Sequence, residues 1–232
     1  MEPSLKIALR LYAETAEYQS RLRSATHMVE EAWERDGRKC FVAWSGGKDS
    51  GAVAHMVCEV SRGEIPIWHW DYGMYMPRPF EEEILHMASS LGIRNLTVDY
   101  RGSNPSNTAG MRAFFGILAK RRRENDWTTW LSSLRREESS RRKAIIAEGG
   151  QVFPIADWTW RDVWAYHVAN DLPWHSAYDR YGPVLGWDRV RFVSFFDPDM
   201  ERFGGLALDG VLIPEFKNRR GGHRNSSQLS IT

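Results

Sequence analysis

The sequence predicts an α/β protein: a parallel central sheet with helices on both faces, preceded by an N-terminal helix and followed by an irregular C-terminal extension. Three observations predict it. Short apolar, β-leaning runs alternate with amphipathic helical patterns from residue 39 to residue 134, and such alternation builds parallel sheets covered on both sides. A glycine-rich SGGKDS segment, Ser45 to Ser50, falls where the first run meets the helix after it, the place where open α/β sheets bind ligands. Phe, Trp and Tyr make up 12% of the 232 residues, with eleven Trp among them, enough bulk for a core and an argument against disorder.

The elements follow in order. Residues 4–35 read as helix, with Leu5, Leu9 and Tyr12 and then Ala25, Val29 and Trp33 at helical spacing. Lys39 to Trp44 is a buried-strand candidate. The helix after SGGKDS places Ala52, Val53, Met56, Val57 and Val60 on one face. Ile65 to Trp70 is a second strand ending at Asp71, Phe80 to Leu91 a helix closed by Gly92, and Ile93 to Tyr100 a third strand. Residues 101–110 are loop by composition and 111–126 helical, and Trp127 to Leu134 is a fourth strand candidate. Gln151 to Ile155 reads as extended, Asp157 to Asn170 as a capped, Trp-rich helix and Arg189 to Phe196 as a late strand. The expected organisation is a helical segment (1–36), a nucleotide-binding domain (37–185), an extension packed on it (186–217) and a polar, disordered tail (218–232).

SGGKDS carries the chemistry. Gly46 and Gly47 let the backbone approach an anion, and the N–H groups and dipole of the helix start favour negative charge there. Lys48 adds a point charge, while Ser45 and Ser50 offer hydroxyls. Asp49 does not favour phosphate and suits a metal ion or an orienting hydrogen bond. The loop is not a Walker A motif: Val42 stands where its first glycine belongs, and Asp49 follows the lysine.

SGGKDS after a strand resembles the pyrophosphate loop of the adenine-nucleotide alpha-hydrolase superfamily, which includes N-type ATP pyrophosphatases, tRNA-thiolating enzymes and phosphoadenylylsulfate (PAPS) reductases. Three further segments resemble the PAPS-reductase-like branch. WHWDYGMYMPRPFEEEI matches its Asp-x-Gly segment and following turn through Asp71, Gly73, Pro77 and Phe80. SLRREESSRR is similar to its G-[ILV]-R-x-x-E-S-x-x-R pattern through Arg135, Glu138, Ser139 and Arg142, with Ser133 in place of glycine. The segment from Phe153 to Gly182 matches at Pro154, Trp158, Thr159, Asp162, Val163, Trp164, Tyr178 and Asp179. The resemblance implies an adenine nucleotide, ATP or PAPS, held by Ser45, Gly46, Gly47, Lys48, Asp49, Ser50, Asp71, Arg135, Glu138, Ser139 and Arg142. It implies Mg²⁺ on Asp49 and Asp71, which suits oxygen ligands, and Lys48, Asp49 and Arg135 as the catalytic groups.

Cysteine content departs from that family. Cys40 and Cys58 are the sole cysteines, so zinc and an iron–sulfur cluster are not expected, and no thiol follows the Tyr178–Asp179 segment to attack sulfate sulfur. The reading drawn from the sequence is therefore attack at the α-phosphate of ATP, with pyrophosphate leaving and an acceptor adenylated, nucleic acid being one candidate acceptor. The alternatives are a PAPS-binding protein that transfers a sulfo group or borrows a partner's thiol, and a catalytically silent nucleotide-binding subunit.

Plainer readings stand beside these. Asp71 could cap a turn, Arg135, Glu138 and Arg142 could be helix-spaced ion pairs on a wet face, and Trp158, Trp160 and Trp164 could be core rather than a stacking platform. His69, His167 and His175 have no metal spacing and read as structural or solvent-facing. The basic stretch from Lys120 to Lys143 is a nucleic-acid surface or a solvated helix face. Exposed Trp in 157–187 would suit a homodimer interface. Net charge is +1, no apolar run is long enough for a membrane span, and the N-terminus lacks a signal pattern, so the expectation is a cytoplasmic protein without a membrane partner.

Overall fold

The computed structural model describes residues 1–71, 78–100 and 110–190. Two helices open the chain, α1 (Pro3–Ala13) and α2 (Ala16–Asp36). The single helix expected over 4–35 is thus broken at Glu14 and Thr15. The cause is local: the Thr15 hydroxyl accepts from the Tyr18 amide at 3.3 Å and caps a new helix. β1 (Cys40–Trp44), α3 (Lys48–Ser61), β2 (Ile67–Asp71), α4 (Arg78–Ser90), β3 (Leu96–Tyr100), α5 (Gly110–Glu124) and β4 (Thr129–Leu131) follow in the expected alternation. The strands are shorter than the sequence suggests, β4 most of all. Trp127 belongs instead to an aromatic stack, its ring 5.2 Å from that of Phe41.

The four strands are parallel in the order β3-β2-β1-β4, with Trp44 level with His69 and Val42 level with Leu131. Beyond β4, Val152 bridges to Leu131, the trace of the extended segment expected over 151–155. Side-chain alternation divides the faces. Trp68 and Trp70 meet Phe114 of α5 on one side, at ring separations of 5.0 and 5.9 Å. On the other side the Cys40 thiol donates to the Ala32 carbonyl of α2, and His69 bridges the Trp44 carbonyl and Glu81 of α4 at 2.8 and 2.5 Å. Strand order reverses at β1, because the chain runs outward through β2 and β3 and then returns to β4. The carboxyl ends of β1 and β4 therefore flank a topological switch point.

α6 (Ser140–Glu148), α7 (Trp160–Ala169) and α8 (Ser176–Leu185) complete the described chain. The helix expected over 157–170 starts at Trp160, where Thr159 and Asp162 cap each other reciprocally. Trp158, Trp164 and Trp187 are buried and Trp160 and Trp174 partly so. Trp158 and Trp164 are thus core, and Trp160 and Trp174 pack against it from its edge. Trp187, within the range expected for the extension, is buried, its indole donating to Glu2 and its carbonyl accepting from the Trp164 indole. Arg189 and Val190 sit in and just after a turn. The rest of the expected late strand and extension, and the whole expected tail, lie outside the described residues.

One fully buried carboxylate joins α1, α2 and α7. Asp162 accepts from the Tyr12 hydroxyl at 2.8 Å, from Arg21 at 3.0 Å and from the Thr159 amide at 2.6 Å. Removing it takes the partner from the Tyr12 hydroxyl and the Thr159 amide and leaves Arg21 paired with Glu17, and breaking a pair with one fully buried member costs on the order of 3 kcal/mol. Asp162→Ala should lower stability by about that much in urea unfolding. A loss of under about 1 kcal/mol would show that the joint is not structural.

Candidate functional site

The loop after β1 is knitted by its own hydroxyls. Ser50 Oγ donates to the Gly47 carbonyl at 3.1 Å and accepts from the Ser45 amide at 3.1 Å. Ser45 Oγ lies 2.9 Å from Ser50 Oγ and accepts from the Gly47 amide at 3.4 Å. Gly46 has φ of +78°, and a Cβ there would lie 2.6 Å from Ile84 of α4. Its glycine is therefore required by the left-handed backbone and by Ile84, a reason different from the anion approach inferred from sequence. Gly47, at φ −77°, precedes α3 and gives it no side-chain cap. The first amide of α3, that of Lys48, donates to the Tyr178 hydroxyl of α8 at 3.1 Å. Gly46, Gly47, Lys48 and Ser50 are buried, while Ser45 and Asp49 reach the surface in part.

Charged side chains gather at the switch point. The Lys48 ammonium is 2.9 Å from Asp49 Oδ2, and Arg135, which follows β4, donates from Nε to Asp49 Oδ1 at 2.6 Å. Arg135 is 2% exposed, which removes the wet-face reading of its ion pairs. Its second nitrogen reaches Glu137 Oε2 at 2.7 Å, and the same oxygen accepts from the Trp160 amide at 2.7 Å. Glu138 receives the Arg135 backbone amide at 3.3 Å and pairs with Arg142. Burial raises the Asp49 pKa, but the Arg135 guanidinium and then the Lys48 ammonium outweigh it and hold the carboxyl well below the usual carboxylate range. Burial pulls the Lys48 pKa down, with Asp49 opposing.

Loop residues Ser45 to Ser50 thus come together with Arg135, Glu138 and Arg142. Ser139 serves locally, capping α6 by accepting from the Arg142 amide at 3.2 Å. Asp71 ends β2, where Arg78 grips both its oxygens at 3.1 and 2.9 Å. Gly73 and Pro77 lie outside the described residues. The magnesium expected on Asp49 and Asp71 does not fit this donor set: each carboxylate is already engaged by cationic N–H groups. Among the described residues no cluster of His, Cys, Asp and Glu gathers as metal ligands do. Three arginines of the basic stretch are engaged locally. Arg121 pairs with Asp99 at 2.7 Å, Arg122 donates to the Trp127 carbonyl at 3.0 Å, and Arg136 pairs with Asp157.

Sequence reasoning missed three contributors: Ile84 against Gly46, Glu137 beside Arg135 and the Tyr178 hydroxyl. His69, His167 and His175 are buried and structural, none of them solvent-facing. Tyr178 stood within a matched segment without a role, and only tertiary structure brings α8 to the loop. Cys40 and Cys58 are buried, and desolvation pushes their thiols up to about 11 and about 12.

Residues 39–195 match the phosphoadenosine phosphosulfate reductase domain. The chain is 36% identical over 202 residues to adenosine 5'-phosphosulfate reductase 2 of Bacillus subtilis, covering 78% of this chain and 84% of the relative. It is 27% identical to the phosphoadenosine 5'-phosphosulfate reductases of Synechococcus and Synechocystis, over 213 residues (79% of this chain, 89% of the relative) and 228 residues (84% and 89%). The chain belongs to the phosphoadenosine phosphosulfate reductase domain family.

The depressed Asp49 pKa fixes an acid dependence. An acid whose folded pKa lies below its unfolded value of 3.8 contributes stability that is present above that value and lost as pH falls toward the folded one. Asp49→Asn should lower stability at neutral pH by about 3 kcal/mol and flatten its decline below about pH 4. Urea unfolding of both proteins across that range checks this, and parallel curves would refute it.

Proposed function

We propose that this chain binds an adenylylsulfate, with or without a 3'-phosphate, and presents its sulfonate sulfur to a thiol from outside these 232 residues. The observation that carries the reading is the union of Lys48 and Arg135 through Asp49 at the switch point beside the head of α3. Cations and helix-start amides suit the anionic bridge of a phosphosulfate. The printed names of the relatives, phosphosulfate reductases, support the same substrate class.

Chemistry follows from the cysteines. Cys40 and Cys58 are buried with raised pKa values, so neither supplies a thiolate. An external thiolate attacks the sulfonate sulfur, forming an S–S bond. The bond from sulfur to the bridging oxygen breaks, and its electron pair leaves with AMP or its 3'-phosphorylated form. A second thiol attacks the carrier's sulfur in this thiosulfonate and releases sulfite. One disulfide forms as sulfur passes from the sulfate to the sulfite oxidation level. Lys48 and Arg135 neutralise the departing phosphate, and Asp49 holds both cations in place.

Attack at the α-phosphate of ATP uses the same loop, and Mg²⁺ would be expected to accompany it. The engagement of Asp49 and Asp71 by arginine and lysine weighs against that reading. Calorimetry with adenosine 5'-phosphosulfate and its 3'-phosphorylated form, without divalent metal, should show binding, weakened at least about tenfold by Lys48→Ala. Dithiothreitol should then yield sulfite. Pyrophosphate release from ATP and Mg²⁺, with neither phosphosulfate bound, would instead support adenylation. Binding of any of the three without sulfite or pyrophosphate release would support a silent nucleotide-binding subunit, and absence of binding by all three would refute the nucleotide site.

A further inference from the structure

Lys48 is held at both of its peptide groups by residues far along the chain. Its amide meets the Tyr178 hydroxyl of α8, 130 residues away, and its carbonyl lies 2.8 Å from Nε2 of His167 in α7, 119 residues away. A carbonyl only accepts, so Nε2 carries the hydrogen. The imidazole is neutral, since burial, its largest influence, pulls its pKa down to about 4. The ring is pinned as well as buried: it lies against the Gly51 backbone, where an added Cβ would stand 3.4 Å from Cε1. Trp164 and Trp174 flank it at ring separations of 5.9 and 6.4 Å.

We infer that His167 is a positioning residue for the anion loop, fixing the first turn of α3 through the Lys48 carbonyl and so holding the Lys48 ammonium at the switch point. This rests on the loop being the nucleotide site. The two holds differ in kind. The Tyr178 oxygen sits on an amide donor that an anion's oxygen would take, so ligand and phenol compete for one N–H. His167 occupies a carbonyl, which an anion does not seek, so its contact persists with ligand bound. The α7–α8 pair is thereby part of the loop's machinery rather than a distant support.

The test compares His167→Gln, whose amide nitrogen can still donate at that depth, with His167→Leu, which has similar volume and no donor. Both lose the ring's packing, so a difference between them isolates the hydrogen bond. Two measurements are made: hydrogen exchange of the 45–52 amides in ligand-free protein, and the affinity for adenosine 5'-phosphosulfate. The Leu variant should exchange about tenfold faster at Lys48 to Gly51 and bind about tenfold more weakly, with Gln within about threefold of the parent. Equal behaviour of Gln and Leu, or a Leu variant like the parent, would overturn the inference. Should the Leu variant fail to fold, Gln against Asn makes the same comparison, because the shorter Asn amide does not reach the carbonyl. Failure of the parent to bind either phosphosulfate defeats the nucleotide reading, whereas the exchange arm reads the His167 contact without ligand.

Discussion

Asp49 accepts from the ammonium beside it and from the guanidinium beyond the end of β4, and this ion triad ties together the two sides of the crevice. Burying such charges is costly unless each is paired and hydrogen-bonded. The chain meets that condition by extending the network. Glu137 accepts from Arg135 and from the start of α7, while Glu138 accepts from the Arg135 backbone and pairs with Arg142. A crevice between parallel strands becomes a fixed set of charges because the partners arrive from three separate segments.

The same economy governs the loop backbone. Hydroxyls of Ser45, Ser50 and Tyr178 accept from its amides, so buried N–H groups are not stranded in the ligand-free protein. Hydroxyl oxygens and anion oxygens are interchangeable acceptors at an amide. Three loop amides, those of Ser45, Gly47 and Lys48, are thus paired with hydroxyl oxygens, and an anion oxygen could replace such an acceptor without stranding the donor.

Much of the architecture was legible because it is local. The alternation of apolar runs with helical periodicity gave the sheet order its ingredients, and SGGKDS marked the strand-to-helix junction. Arg135 and Lys48 were legible as cations, but their meeting through Asp49 was not, since 86 residues separate the two sides. Thr15 was missed as a cap because Tyr12 and Tyr18 flank it inside an apolar pattern that reads as continuous helix. Ile84, Glu137 and His167 carry no pattern of their own: an isoleucine in an amphipathic helix, a glutamate in a charge run and a histidine amid tryptophans look ordinary until tertiary packing brings them to the loop. Asp71 was legible through the family resemblance, but its pairing with Arg78, seven residues on, was not, because residues 72–77 carry no pattern that brings the two together.

The proposed function asks two different things of a protein. Holding an adenylylsulfate asks for fixed cations and amides, which a packed α/β crevice supplies and which burial strengthens. Attacking its sulfur asks for a thiolate, which burial suppresses. Cys40 donates into the α2 backbone and Cys58 lies inside α3, so both serve the scaffold, and the forces that build the crevice keep them protonated. On the proposed function, this chain supplies the site and the nucleophile is brought to it. Ser45 and Asp49 are the loop residues that reach the surface in part, while both thiols stay inside the scaffold.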